Sequence, residues 1–316
     1  MNESEKNVVI SNPVIRSSVT ENQVESSSKI FYNGPSMLNP DEDVIGVLQK
    51  APSRSRKTHG MAQVWVFPAA LMAMTEEYVK RGPANGNGSV IKEMIDNGVD
   101  RACCHDCGFR GKAAGGSGKC YCHGRTLFLG ANQMLKGLAN KNWPTLMPNE
   151  LRQEMWIMYK TGIEIRLTAY GEGLCLPDWC LDTLTTVPGR AYTHAWDGLD
   201  ARRAAKWQRV FMASVETREQ QLRARAAGWR CFKVIPAKSE EFYPREEFRC
   251  PASKEMGKVS SCGRCKGCDG WRNSFSKDVV IMDHSMLNNL AEYKEKIKAE
   301  KEEMIRSSRS MERAIW

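Results

Sequence analysis

The sequence lacks the apolar segments that direct a chain into or across a membrane. None of its 316 residues belong to an apolar run long enough to cross a bilayer. Its first ten residues, MNESEKNVVI, do not have the basic and then apolar layout of a secretory signal. We therefore expect a cytoplasmic protein in a reducing compartment, with no membrane partner.

The sequence also lacks the common signatures of nucleic-acid-binding modules. It has no zinc finger with paired histidines and no basic motif interleaved with aromatic residues. The net charge is nevertheless +9, and residues 202–233 carry nine Lys and Arg against two Glu. Such a basic face can meet the phosphates of nucleic acid. The alternative is a solvated helical face, which we favour because the charges alternate with helix-forming residues.

Composition divides the chain into three parts. Residues 1–60 combine a Ser-, Asn- and Glu-rich stretch with a basic run, which predicts a disordered N-terminal tail and linker. Residues 61–285 are long enough to bury a sizeable core, and we interpret them as an α/β metal-binding domain. Residues 286–316 are charged and helix-prone, which predicts a C-terminal helix.

Short β-branched or aromatic runs alternate with helical patterns in the central part. The predicted strands are 163–168, 190–196, 210–215, 229–235 and 278–283, with 64–67 as a sixth unless it opens the helix that follows. This alternation predicts βαβ units and a parallel sheet. We predict an α/β fold of five to six strands, either a partial barrel or an open parallel sheet. Ligands in both architectures bind at the carboxyl ends of the strands.

Twelve cysteines, most of them in two clusters, are the strongest functional signal in the sequence. In a reducing compartment, clustered cysteines favour a metal site over disulfides. The loop 103–123 holds the first cluster: Cys103, Cys104, Cys107, Cys120 and Cys122. The loop 250–268 holds the second: Cys250, Cys262, Cys265 and Cys268. Cys175, Cys180 and Cys231 have no partners in sequence, and we interpret them as small buried apolar residues.

The spacing predicts the ligands but leaves the metal open. In the second cluster, three cysteines at two-residue spacing with a distant fourth suit an iron–sulfur cluster of the [4Fe–4S] type. Four thiolates are an equally suitable ligand set for tetrahedral zinc. In the first cluster, ligation by Cys122 would give a closed structural site. Ligation by only three cysteines would leave one metal position open for chemistry.

Polar residues follow several of the predicted strands. Because the carboxyl ends of parallel strands meet at one edge, we expect these side chains to converge. We take Glu172, His194 and Asp283 as candidate catalytic residues. Taken alone, His194 is better explained as a hydrogen-bonded strand histidine than as a ligand, so the hypothesis depends on the group. The other members are Gly171, Trp196, Asp197, Ser214, Glu216 and His284.

The order of these motifs resembles the radical S-adenosylmethionine partial-barrel superfamily. The resemblance is carried by Cys120-Tyr121, by Gly171-Glu172 after a strand, and by Ala213-Ser214-Val215-Glu216. Cys103-x3-Cys107 matches the first half of the family's cysteine motif, with Cys120 as the third cysteine beyond a glycine-rich insert. Similar Cys-Tyr loops followed by such barrels occur in uncharacterised proteins of bacteriophages and mobile elements, which would place the protein in a host cytoplasm.

The resemblance implies a function as well as a fold. It implies a [4Fe–4S] cluster on three cysteines of the first loop and an auxiliary cluster at the second. It also implies that S-adenosylmethionine binds at Tyr121, Gly171, Glu172, Ser214 and Glu216. We therefore expect an iron–sulfur protein of the radical type acting on an unknown substrate. The alternative is a zinc-stabilised phage accessory or nucleic-acid-binding protein without catalysis.

Overall fold

The computed structural model describes most of the chain between residues 28 and 282. The described residues are 28–50, 58–81, 94–118, 120, 125–140, 143–236, 239, 241–253, 256–257, 259–269 and 277–282. Tyr121, Cys122 and Asp283 lie outside them, as do His284 and the predicted C-terminal helix.

The described residues form a mixed α/β fold around a nine-stranded sheet in the order β1-β2-β3-β4-β5-β6-β7-β9-β8. The strands are β1 (Ser28–Pro35), β2 (Asp43–Gln49), β3 (Ala62–Pro68), β4 (Ile165–Tyr170), β5 (Gly189–Thr193), β6 (Phe211–Val215), β7 (Cys231–Ile235), β8 (Glu247–Arg249) and β9 (Asp278–Met282). The pairs β1/β2 and β2/β3 are antiparallel, and every later pair is parallel. The sheet is mostly parallel and is not closed into a barrel.

Helices connect the parallel strands as the alternating pattern predicts. Their bounds are Leu71–Arg81, Arg101–Cys104, Arg125–Ala139, Pro148–Lys160, Asp178–Leu184, Ala201–Trp207, Arg218–Ala226 and Cys262–Cys265. Single helices separate β4 from β5, β5 from β6, and β6 from β7. The strands β3, β6 and β9 are buried along their whole length. Continuous apolar burial of this kind is typical of parallel strands covered on both faces.

The prediction of five to six strands was too low, because three strands were missed. Residues 28–49, assigned to a tail and linker, instead form the antiparallel hairpin β1–β2 at one edge of the sheet. The central residues of β2 are all buried, because β1 and β3 flank it on both sides. The Ser- and Asn-rich composition that suggested disorder belongs to residues 1–27, outside the described part. The third missed strand, β8, has three residues and is too short to show a periodicity.

Three groups of buried side chains stabilise the sheet, and the smallest contains Ile235, Val280 and Met282. The largest core packs β2 to β6 against the helices and includes Cys103 and Cys175. A smaller apolar cluster lies beside β6 and β9, where Met212 and Val279 pack with three cysteines of the second cluster. The two cysteine groups therefore belong to different parts of the fold.

Candidate active site and cysteine clusters

A cavity of about 380 Å³ lies at the carboxyl ends of β5 and β6. His194 directly follows β5, and Ser214 and Glu216 mark the end of β6. The structure brings these three predicted residues together around one space. The cavity lining is His105, Asp106, Gly108, His194, Ala195, Trp196, Asp197, Gly198, Ser214, Glu216, Gln220 and Arg223. The first cysteine loop thus forms one wall, and the strand ends form the other.

His194 is the most strongly engaged titratable group in this cavity. Its Nε2 lies 3.2 Å from Glu216 Oε1, and the edge of Phe109 packs against its ring. Burial lowers the pKa of His194, but hydrogen bonds with Cys107 and Glu216 outweigh it and hold the pKa well above its usual value. The imidazole therefore links the cysteine loop to the end of β6.

Glu172, predicted to be a catalytic and cofactor-binding residue, is buried and does not line the cavity. Its Oε1 accepts a hydrogen bond from the backbone N–H of Leu174 at 3.2 Å. Its Oε2 accepts one from the N–H of His194 at 2.9 Å. Burial raises the pKa of this carboxyl, although the same hydrogen bonds oppose the shift. Glu172 therefore ties the turn after β4 to the end of β5 and positions His194.

Gly171 allows the chain to turn directly after β4. Its φ is +78°, in the left-handed region that favours glycine. A Cβ at this position would lie 2.3 Å from the carbonyl oxygen of Val66 on β3. The close approach of β3 to this turn therefore requires glycine.

The first cysteine cluster is in contact with the turn after β4. The carbonyl oxygen of Cys103 accepts a hydrogen bond from the N–H of Glu172 at 2.6 Å. The Sγ atoms of Cys103 and Cys104 are 3.8 Å apart. A hydrogen bond from Cys103, burial, and the nearby thiols of Cys120 and Cys107 raise the pKa of Cys104. Four thiols of the predicted ligand set are therefore neighbours.

The glycine-rich part of this loop has a defined conformation between residues 108 and 118. The guanidinium of Arg110 donates hydrogen bonds to the carbonyls of His105 and Ala114 and to Asp106 Oδ1. A Cβ at Gly116 would lie 2.2 Å from the carbonyl oxygen of Arg110. The glycines thus let the loop wrap around an arginine, which the sequence pattern alone did not indicate.

The four cysteines of the second cluster line a separate, much smaller cavity of about 10 Å³. Arg190, Phe248 and Val279 are among its other walls. Burial, followed by the charges of Cys268 and Cys262, raises the pKa of the neighbouring Tyr192. These four predicted ligands therefore line one cavity, and their binding of a metal stays a prediction.

Neither cluster is closed around a metal position as it stands. Among the described residues, no three side chains of His, Cys, Asp and Glu are arranged closely enough to hold a metal ion. Ligation would therefore require rotation of cysteine side chains, and in the first cluster Cys122 lies outside the described part. The soft thiolate donor set suits zinc or iron–sulfur chemistry.

Intramolecular pairing neutralises most of the predicted basic face. Seven of its nine cations have carboxylate or carbonyl partners: Arg203, Lys206, Arg218, Arg223, Arg225, Arg230 and Lys233. Lys233 is fully buried between Glu241 and Glu247. These contacts favour a structural role for the charges over phosphate binding.

Two cavity residues, Gln220 and Arg223, were missed by the sequence reasoning. Arg223 pairs with Asp197 at 2.9 Å, and its guanidinium lies 5.6 Å from the centre of the Trp196 ring. For Gln220 a signal was present, because it lies in the first turn of the helix that follows β6, whereas Arg223 lies in the last turn of that helix. The first turn of a connecting helix faces the carboxyl edge of a parallel sheet.

Comparison of the sequence with models of known protein families, with characterised proteins and with solved structures finds no match. No helix in the described part of the chain is both long enough and apolar enough to cross a bilayer.

Proposed function

We propose that this protein is an iron–sulfur enzyme of the radical S-adenosylmethionine type. The observation that carries the proposal is the 2.6 Å hydrogen bond from the Glu172 N–H to the Cys103 carbonyl. It joins a cysteine cluster to a Gly-Glu turn at the end of a parallel strand. The cavity of about 380 Å³ lies beside this junction and offers room for a substrate.

Cys103, Cys107 and Cys120 would hold the cluster in this proposal. Cys104 is close enough to exchange with one of them, since its thiol interacts with the other three. The donor chemistry fits, because thiolates are the usual ligands of iron–sulfur clusters. The cluster would supply the electron that cleaves S-adenosylmethionine.

The protein's own residues would prepare the cavity for proton transfer and substrate binding. His194 and Glu216 form a hydrogen-bonded pair at its wall, able to hold a proton at the imidazole Nε2. Glu172 orients this pair through the backbone of His194 and does not itself reach the cavity. Asp197, after β5, and Arg223, on the helix after β6, add an ion pair to the lining. A substrate with both polar and aromatic parts fits such a lining.

Metal analysis of the full-length protein after anaerobic purification tests this proposal. We expect a brown protein that contains iron and acid-labile sulfide and whose visible spectrum changes when S-adenosylmethionine is added. The variants Cys107→Ser and Cys120→Ser should lose iron. The matched control Cys180→Ala changes a buried cysteine of the helix Asp178–Leu184 and should keep it.

The alternative function gives a different result in the same experiment. A zinc-stabilised accessory protein would be colourless, would contain zinc without iron, and would not respond to S-adenosylmethionine. If it acted on nucleic acid, its affinity for DNA or RNA would fall steeply with rising salt. We favour the enzyme because a cavity at strand ends is typical of α/β enzymes and because the basic face is largely paired.

A further inference from the structure

We propose that the second cysteine cluster is a mononuclear zinc site that fastens the end of the sheet, not an auxiliary iron–sulfur cluster. Its ligands would be Cys250, Cys262, Cys265 and Cys268. This inference concerns a different place in the fold from the candidate active site. It does not depend on the proposed radical chemistry.

The backbone around these four cysteines is fixed by the sheet and by a tight turn. Cys250 directly follows β8, and its N–H donates to the carbonyl of Val280 on β9 at 2.9 Å. Cys262 and Cys265 are the two ends of one helical turn. Lys266 then adopts a left-handed conformation with φ of 56°, which turns the chain towards Cys268. Two short segments, one with Cys250 and one with the other three cysteines, therefore line one cavity.

The size of the cavity favours one ion over a cluster. A space of about 10 Å³ corresponds to roughly one water-sized sphere. Rotation of the four cysteine side chains would bring their thiolates around one zinc ion at the centre of this space. A [4Fe–4S] cluster adds four irons and four sulfides to the same four thiolates, and it would have to displace the walls.

Those walls are firmly packed. Phe248 and Val279 line the cavity, and Val279 is buried in the centre of β9. A Cβ added at Gly267 would lie only 2.4 Å from a ring carbon of Phe248. The ring of Phe248, which is partly buried, therefore packs directly against the backbone of the cysteine turn.

The charges around the turn suit a tetrathiolate zinc centre, which has a net charge of −2. The guanidinium of Arg190 is almost fully buried and donates to the carbonyl of Cys262. Arg230 Nη2 donates to the carbonyl of Gly267 at 2.6 Å. The Nε of Arg230 is buried and has no hydrogen-bond partner among the described residues, so one donor remains available. Two arginines that orient the ligand loop and balance thiolate charge form a suitable outer shell.

The experiment is zinc analysis of the full-length protein and its variants. We expect about one zinc per chain in the wild-type protein and near none in Cys262→Ser or Cys268→Ser. The iron content of the first cluster should be unchanged in both variants. Cys231→Ala, which alters a buried cysteine on β7, is the matched control and should keep its zinc.

A second measurement covers the case in which the variants fail to fold. In the wild-type protein, a mercurial that blocks thiols should release one zinc to a colorimetric dye. Reconstitution with Co²⁺ should give the spectrum of a tetrahedral tetrathiolate site. The Cys107→Ser/Cys120→Ser double variant should keep this zinc, which separates the present proposal from the proposed function. Loss of iron and sulfide in Cys262→Ser, or no metal change in that variant, would overturn the zinc assignment.

Discussion

The two cysteine regions look alike in sequence but occupy opposite kinds of environment. In the first, which we call the open region, Cys104, Cys107 and Cys120 are partly exposed beside a cavity of about 380 Å³. In the second, which we call the closed region, Cys250, Cys262 and Cys268 are buried around a cavity of about 10 Å³. The different roles that we propose for the two clusters therefore rest on their surroundings and not on the spacing of their cysteines.

The two regions also differ in the charged side chains that surround them. The first region borders a hydrogen-bonded series of ionisable side chains, namely Glu172, His194 and Glu216. Around the second region, Arg190 and Arg230 donate to backbone carbonyls of the cysteine turn. Permanent cations suit a fixed thiolate centre, whereas titratable groups suit a reaction site.

The largest effect on stability is expected from Arg190→Met, beside the closed region. Arg190 Nη1 pairs with Glu164 at 2.7 Å, and Nη2 holds the carbonyl of Cys262. Breaking a buried ion pair by removing one partner costs about 3–5 kcal/mol. Urea unfolding should show this loss, while the exposed control Arg209→Met should stay within about 0.5 kcal/mol of the wild type. Equal effects from the two variants would mean that Arg190 does not hold the closed region.

A smaller loss is expected from Gly171→Ala, beside the open region. The substitution forces a left-handed φ on alanine, at about 1 kcal/mol, and drives its Cβ into the carbonyl of Val66. We expect a total of about 2–3 kcal/mol by thermal unfolding. Gly162 has a similar φ of +70° but nothing within 4 Å of an added Cβ. Gly162→Ala should therefore show only the cost of the left-handed φ. Indistinguishable losses in the two variants would contradict the close approach of β3.

Glu172→Gln tests the positioning role of the buried carboxylate. Glutamine keeps the shape but replaces one acceptor oxygen with an NH₂ group. The N–H of Leu174 or of His194 then faces a donor, which costs about 1–3 kcal/mol. The amide chemical shift of His194 should change as well. The control Glu219→Gln, on an exposed helix surface, should leave both the stability and that chemical shift unaltered.

The smallest expected effect is a pH dependence that belongs to the open region. In metal-free protein the pKa of His194 is raised well above its usual value. Protonated His194 therefore stabilises the folded protein. This stabilisation is fully present below the unfolded-state pKa of about 6.5 and is lost as the pH rises through the folded-state pKa. His194→Gln should flatten this part of the Tm against pH curve, and Glu216→Gln should reduce it. An unchanged slope in His194→Gln would assign the dependence to another group.

The alternation of strands and helices was predictable because each unit carries a local signal. The apolar run predicted as a strand at 210–215 appears in the structure as β6, Phe211–Val215. The hairpin β1–β2 could not be separated from the polar residues 1–27 before it. Its burial comes from pairing with β3, a contact that no local pattern encodes.

The sequence was enough to predict which residues of the candidate site lie close together, but not which hydrogen bonds they make. Parallel strand ends must meet at one edge, so the convergence of His194, Ser214 and Glu216 follows from the strand order. The actual partners of Glu172 depend on how closely β4 and β5 approach. Two backbone N–H groups occupy its carboxylate, and only the tertiary structure reveals them.

Both metal assignments can be tested together by measuring iron, acid-labile sulfide and zinc per chain on the same anaerobically purified full-length protein. We expect about four irons and four sulfides at the open region and about one zinc at the closed region. A colourless protein that contains zinc but no iron or sulfide would rule out the iron–sulfur assignment.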